Sequence, residues 1–322
     1  MTRVHIWGAS GYAAAEAIRY LEAHPHVTIV TLESRSHAGA ALADVFPLLR
    51  ASAHHFDESG ATLARVAAGD VVMTAGAHNE ARSIVPSLLV LGARVIDLSA
   101  DYRFDANAVY GFPEQYREQI ADARLVANPG CYPTATLLAA LPLRRIGTPT
   151  QLIVDAKSGI TGAGRAPSVA SLFAEVSGDI RPYGLGGHRH QPEIEAQMAA
   201  LDLHAPLVFT PHVVPIARGM LVDLYAVFDR TLDPLAVAEA YAQAYASNPF
   251  VRVLSADRTP SVPAVVGTND AELRVDVIGS TVRVICAIDN LGKGAAGAAV
   301  ANLNIMLGYP EETGLHARAI LA

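Results

Sequence analysis

A short stretch near the start does most to limit what this chain can fold into. Residues 3–7, RVHIW, are β-prone, Gly8-Ala9-Ser10-Gly11-Tyr12-Ala13-Ala14 follows at once, and an alanine-rich helical pattern then runs to about Ala23. Strand, glycine turn and helix in that order open a βαβ unit, and the turn fits G-x-x-G-x-x-A. Gly8 permits the tight turn, Gly11 lets the backbone approach a pyrophosphate, and Ala14 is small enough for the helix to pack on the strand. The helix N-terminus then offers unpaired N–H groups to an anion. A glycine turn by itself belongs to any βαβ unit. The strand before it and the helix after it favour a nucleotide, with Gly8, Ser10, Gly11 and Tyr12 as contacts.

The alternation continues. VTIVTLES (27–34), DVVMTAG (70–76), RVIDLSA (94–100) and LVAN (125–128) are apolar runs separated by helical stretches. That pattern predicts a parallel sheet. After about residue 149 the strands are longer and alternate, as in TQLIVDAKSG, GMLVDLYAVFD and STVRVICAID, with helical stretches at HQPEIEAQMAALD and DPLAVAEAYAQAYA. These predict an α+β domain on a largely antiparallel sheet. The last helix, GKGAAGAAVANLNIMLG, carries small residues on one face and is expected to return to the first domain. The expected fold is α/β. Residues 1–148 plus 292–322 form a Rossmann-type dinucleotide-binding domain, and residues 149–291 form a catalytic and subunit-contact domain.

The end of the second strand reads Glu33-Ser34-Arg35-Ser36. An acid there would suit the ribose 2′-OH of NAD. Arg35 between two hydroxyls suits a 2′-phosphate better, because a guanidinium binds it bidentately. By strand alternation Glu33 points away from Ser34, into structure. NADP is therefore expected over NAD.

A net charge of −7 and a pI near 5.9, with no run of Lys and Arg, argue against a nucleic-acid partner. No stretch is apolar for the roughly 18 residues a membrane span needs, and the N-terminus lacks a signal-peptide pattern. Two cysteines, Cys131 and Cys286, make no disulfide framework, so a cytoplasmic protein is expected.

Cys131 stands in NPGCYPTA (128–135), where a loop turns into a helix. A helix N-terminus stabilises the thiolate, and a nearby protonated histidine would add to this. Pro133 fits the first turn, where its missing N–H costs nothing. The backbone N–H groups there suit a developing oxyanion. Cys286, inside VRVICAI, reads as a buried structural residue. A cysteine nucleophile needs a proton-transfer partner. His188 and His190, at the entrance to a helix, are the candidates, with His212 in reserve; His24, His26, His54 and His55 read as surface residues. No third ligand lies near the histidine pair, so no metal is expected. A nicotinamide cofactor with a nucleophilic cysteine implies acyl transfer to sulfur and reduction of the thioester to an aldehyde.

At this point the sequence resembles the N-acetyl-γ-glutamyl-phosphate reductases and related acyl-phosphate reductases of the semialdehyde dehydrogenase type. The matching stretches are GASGY (8–12), SRSHAG (34–39), VIDLSADYRF (95–104), LVANPGCYPTA (125–135), VDAKSGITGAGRAPS (154–168), HRHQPEIE (188–195), FTPHVVPIARGM (209–220) and AIDNLGKGAAGAAVANLNIM (287–306). The resemblance implies NADPH-dependent reduction of N-acetyl-L-glutamyl 5-phosphate in arginine biosynthesis. It also implies Cys131 as acyl acceptor and the histidine pair as acid and base, without deciding between His188 and His190. Asn290, Ser158 and Gly159 match cofactor-side positions, and a homo-oligomer, dimer or tetramer, is expected. For the substrate's phosphate and carboxylate, charge favours Arg103, Lys157 and Arg218, with a structural ion pair as the alternative for each. Two departures stand out: Ala13-Ala14 where the family continues Thr-Gly, and Gly76-Ala77-His78-Asn79 where it tends to read Leu-Pro-His-Gly. The loop after SADYRF is also shorter, which leaves open an aminoadipyl-phosphate substrate, carrier-linked or not, or an aspartyl-phosphate. A catalytically silent NADP-binding regulator is the alternative of another class, and the intact Cys131 and histidine pair argue against it.

Overall fold

The computed structural model describes residues 1–315, and the chain divides into two compact units. The first holds residues 1–129 together with the described residues from Ala295 onward; the second holds residues 130–294. The last residues of the expected first domain, 316–322, lie outside the described residues.

The first unit is built on six parallel strands: β1 (Thr2–Trp7), β2 (Val27–Glu33), β3 (Val71–Thr74), β4 (Arg94–Asp97), β5 (Val109–Tyr110) and β6 (Leu125–Ala127). Their spatial order is β2-β1-β3-β4-β6-β5. β3 and β4 are buried through their apolar runs, as sheets covered on both faces require. Strand order reverses between β1 and β3, and ligands of such sheets bind at the carboxyl ends flanking that point. The expected helix spans Gly297–Leu307 and packs on the helices Pro113–Asp122 and Tyr12–Glu22. Its buried amides tie it down: Asn302 donates to the Gly111 carbonyl at 3.0 Å, and Asn304 lies 2.8 Å from His24 Nε2. His24 is thus buried, not a surface residue, and burial lowers its pKa.

The second unit carries a seven-stranded mixed sheet: β7 (Gln151–Ser158), β8 (Arg181–Pro182), β9 (Leu207–Val213), β10 (Met220–Val227), β11 (Val251–Val253), β12 (Ala271–Ile278) and β13 (Thr281–Ile288). The order is β11-β12-β13-β10-β7-β9-β8, antiparallel except for the pairs β7–β9 and β11–β12. Alternation buries Leu152, Val154 and Ala156 of β7 with Val222, Leu224 and Ala226 of β10.

The division falls after Pro129, whereas the sequence reading placed it after residue 148. The reason is the helix Cys131–Ala140. Every residue from Tyr132 to Ala140 is buried, so it has no solvent face to leave open. It packs on β10, β13 and the helix His190–Ala200, and Tyr241 donates to its Ala139 carbonyl at 2.6 Å.

Candidate active site

In the first unit the glycine turn packs against the loop after β3. Gly8 has φ +79°, and a Cβ there would sit 2.5 Å from the Gly76 backbone N, so glycine is required on both counts. Gly76 follows β3, which puts this contact at the sheet's switch point. Gly11 caps the helix Tyr12–Glu22, whose first-turn N–H groups lack intrahelical acceptors. Asn79 has φ +69°, so the altered loop after β3 keeps a left-handed turn.

Glu33 is turned inward, as alternation predicts. Its two carboxylate oxygens accept the Gly60 and Thr62 N–H groups, each at 2.9 Å. A carboxylate so engaged is committed to the fold. Ser34 and Ser36 approach each other through their hydroxyls, Ser36 Oγ also meets His37 Nδ1 at 2.7 Å, and Arg35 pairs with Glu80. This group of cation, hydroxyls and imidazole fits a phosphate, and the tight glycine cradle fits a pyrophosphate; Glu80 is the competing charge. Sequence reasoning did not single out Glu80 or His37, which meet Arg35 and Ser36 from a different turn and from the next residue.

In the second unit Cys131 is the first residue of its helix, with Gly130 as the cap. The first helical bond, Thr134 N–H to the Gly130 carbonyl, already lies beyond Pro133. A Cβ on Gly294 would come within 2.8 Å of Cys131 Cβ, so the loop after β13 runs directly against the cysteine. Cys286 is fully buried, and burial pushes its thiol up.

Tyr132 is the platform for the histidines. Its ring meets His188 at 5.6 Å and His190 at 5.8 Å between centroids, and those two rings are 5.0 Å apart. Tyr183 donates to the Tyr132 hydroxyl, which donates to the His212 carbonyl, both at 3.1 Å. Burial raises the pKa of both tyrosines, Tyr183 to about 12. His212's imidazole lies 3.1 Å from Asp155 instead.

Burial and the Arg189 charge lower His188 to about 4. Its Nδ1 accepts the His190 N–H at 3.1 Å, so the neutral ring carries its proton on Nε2. The expectation of a cationic histidine beside the thiol therefore fails for His188 at neutral pH. Between the unfolded value near 6.5 and the folded value near 4, the unfolded chain binds more protons. Stability accordingly rises with pH across that window and is lost as pH falls through it. His188→Asn should flatten this slope in denaturant midpoints measured between those two pH values; an unchanged slope would show that another group sets it.

A second cluster lies at the carboxyl end of β7. Asn290 accepts the Gly219 N–H at 2.6 Å and donates to Thr161 at 3.0 Å; Gly159 N–H bonds the Gly219 carbonyl at 2.9 Å. Ser158 is buried beside them. Arg218 faces the fully buried Asp289 with Nε 2.7 and 2.9 Å from its two oxygens. Lys157, on the other face of β7 from Ser158, pairs with Asp223 at 2.7 Å and Asp155 at 2.9 Å. Arg103, in the first unit, donates to the Asn128 carbonyl at 3.0 Å. All three predicted anion-binding cations thus already have partners. Among the described residues no group of three or more His, Cys, Asp or Glu is arranged to hold a metal, and no helix is long and apolar enough to cross a membrane.

Residues 3–123 match the family described as semialdehyde dehydrogenase, NAD binding domain, and residues 131–290 match semialdehyde dehydrogenase, dimerisation domain. An N-acetyl-gamma-glutamyl-phosphate reductase of Geobacter metallireducens is 44% identical, and one of Desulfotalea psychrophila 43%, each over 98% of both chains. Among solved structures, a probable aspartate-semialdehyde dehydrogenase from Pseudomonas aeruginosa aligns with a TM-score of 0.77 over 95% of this chain and 98% of its own. At 17% identity that likeness shows the shared fold. With relatives of this identity along nearly its whole length, the chain belongs to the N-acetyl-γ-glutamyl-phosphate reductase family.

Proposed function

We propose that the protein catalyses the NADPH-dependent reduction of N-acetyl-L-glutamyl 5-phosphate to N-acetyl-L-glutamate 5-semialdehyde and phosphate, a step of arginine biosynthesis. The observation that carries this reading is Cys131 at the first position of a buried helix, with Gly294 against it and two histidine rings gathered on Tyr132. In this reading the Cys131 thiolate attacks the acyl carbon, phosphate leaves, and a thioester forms. The backbone N–H groups of the helix start at Cys131 suit the developing oxyanion. NADPH, when bound, would supply the hydride; collapse of the thiohemiacetal at Cys131 then breaks the C–S bond, frees the aldehyde and returns the thiolate. His188 and His190 serve as the acid and base. Neutral at pH 7, His188 offers an N–H to the oxyanion and not a full charge.

Gly8, Ser10, Gly11 and Tyr12 are assigned to the pyrophosphate, and Ser34, Arg35 and Ser36 to the 2′-phosphate. Ser158, Gly159 and Asn290 are assigned to the cofactor as well. Arg103, Lys157 and Arg218 remain the proposed cations for the substrate's anionic groups: a guanidinium with five donors can hold one carboxylate and still meet another, and the Lys157 ammonium has a third donor beyond Asp223 and Asp155. The match to a dimerisation domain supports a homo-oligomer; we propose a dimer or tetramer in the cytoplasm.

The test is NADP- and phosphate-dependent oxidation of N-acetylglutamate semialdehyde, set against its one-carbon-longer homologue. The shorter aldehyde should be the better substrate by kcat/KM; preference for the longer one, or no oxidation of either, would overturn the reading. Arg35→Ala should weaken NADPH binding about ten-fold to a hundred-fold while NADH binding barely changes, because only NADPH loses charge-assisted bonds worth roughly 1.5–3 kcal/mol. Titration of both cofactors checks this, and an equal loss would remove Arg35 from the 2′-phosphate.

A further inference from the structure

One buried acid stands beside the proposed nucleophile without a part in the chemistry above. Glu193 is 2% exposed and sits in the first turn of the helix His190–Ala200, three residues after His190. Its Oε1 accepts the Gly130 N–H at 2.9 Å, the donor immediately before Cys131. That bond joins the turn that presents the thiol to the helix that presents the histidine. We infer that Glu193 is a positioning residue: it locks the Cys131 turn onto the His190 helix and holds a negative charge next to the thiol.

Two consequences follow from the chemistry. The helix N-terminus favours the thiolate, but a carboxylate bonded to the preceding N–H opposes it. Glu193 also takes one N–H at the helix start that an oxyanion would otherwise use. The other titratable groups around the thiol within this unit do not supply the same charge. Tyr132 and Tyr183 are neutral phenols near pH 7, their pKa values raised further, and His188 is neutral. His190 packs on Tyr132, Arg189 is exposed, Lys293 lies over the Phe250 ring, and Asp289 faces Arg218.

The inference rests on Cys131 being the nucleophile, and alkylation separates the two ideas because it needs no substrate. Glu193→Gln keeps an oxygen that can accept the Gly130 N–H and removes only the charge. Its pH midpoint for iodoacetamide alkylation of Cys131 should fall by about half a unit to one unit, since a like charge nearby raises a thiol. Glu193→Ala removes the bond as well; kcat should drop by about a hundred-fold with KM little changed, as expected when a reacting group is misplaced. Glu193→Gln should recover most of that loss. Thermal melts of both variants show whether the fold is kept. An unmoved midpoint in Glu193→Gln would end the electrostatic part. A folded Glu193→Ala with near-normal kcat, or a Glu193→Gln no better than Glu193→Ala, would end the positioning part. If Cys131→Ser stays active while the alkylation results hold, it is the catalytic reading that fails and the clamp that stands.

Discussion

Cys131→Ser should abolish turnover and leave NADPH binding nearly intact. A serine hydroxyl has a far higher pKa than a thiol and gains too little from a helix N-terminus to ionise near neutral pH. The acyl group then has no acceptor, so both directions of the reaction stop together. The glycine turn and Arg35 belong to the first unit, and Cys131 to the second, so the substitution leaves the proposed pyrophosphate and 2′-phosphate groups untouched. Activity should fall below a few per cent of the parent, with the NADPH dissociation constant within about two-fold. A serine variant retaining more than a few per cent would show that no covalent thioester is needed.

Asp289→Ala should be the most destabilising single change near the site. The carboxylate is fully buried and accepts the Gly267 N–H at 2.6 Å and the Leu291 N–H at 2.9 Å, besides facing Arg218. Its removal strands a largely buried guanidinium and two backbone donors. Breaking one side of a buried ion pair costs about 3–5 kcal/mol, because the remaining charge is left uncompensated. On a unit of this size the melting temperature should fall on the order of 10 °C. Turnover should fall too, since the lost carboxylate also anchors the Leu291 N–H, three residues before Gly294, the residue pressed against Cys131. Asp289→Asn, which keeps an acceptor, should lose less. A melt unchanged in Asp289→Ala would mean that Arg218 finds another partner once the carboxylate is gone.

Arg218 shows where sequence reasoning stopped. Charge alone made it a substrate cation, and the partner that engages it, Asp289, lies far along the chain. The same holds for Lys157, whose partner Asp223 sits on the adjacent strand β10, and for Arg35, met by Glu80 from the loop after β3. Glu193 was in view within HRHQPEIE, but nothing local reveals that its carboxylate reaches Gly130. A helical spacing of three from His190 was the available signal. Gly294 was likewise visible in GKGAAG, and only the folded chain shows the cysteine its missing side chain leaves room for.

What the sequence determined by itself is what depends on neighbours along the chain. The glycine turn between strand and helix, the inward face of Glu33, the left-handed turn at Asn79 and the helix start at Cys131 all follow from local backbone preferences and short-range periodicity. The family followed from the motifs in their order. Tertiary structure decided what depends on neighbours in space: the division after Pro129, set by a helix buried on every side; the neutral state of His188, set by burial against Tyr132, Tyr183 and Phe209; and the partners of Glu193 and Asp289. A charge's energy depends on the dielectric and the counter-charges around it, and those are assembled from residues tens to hundreds of positions apart.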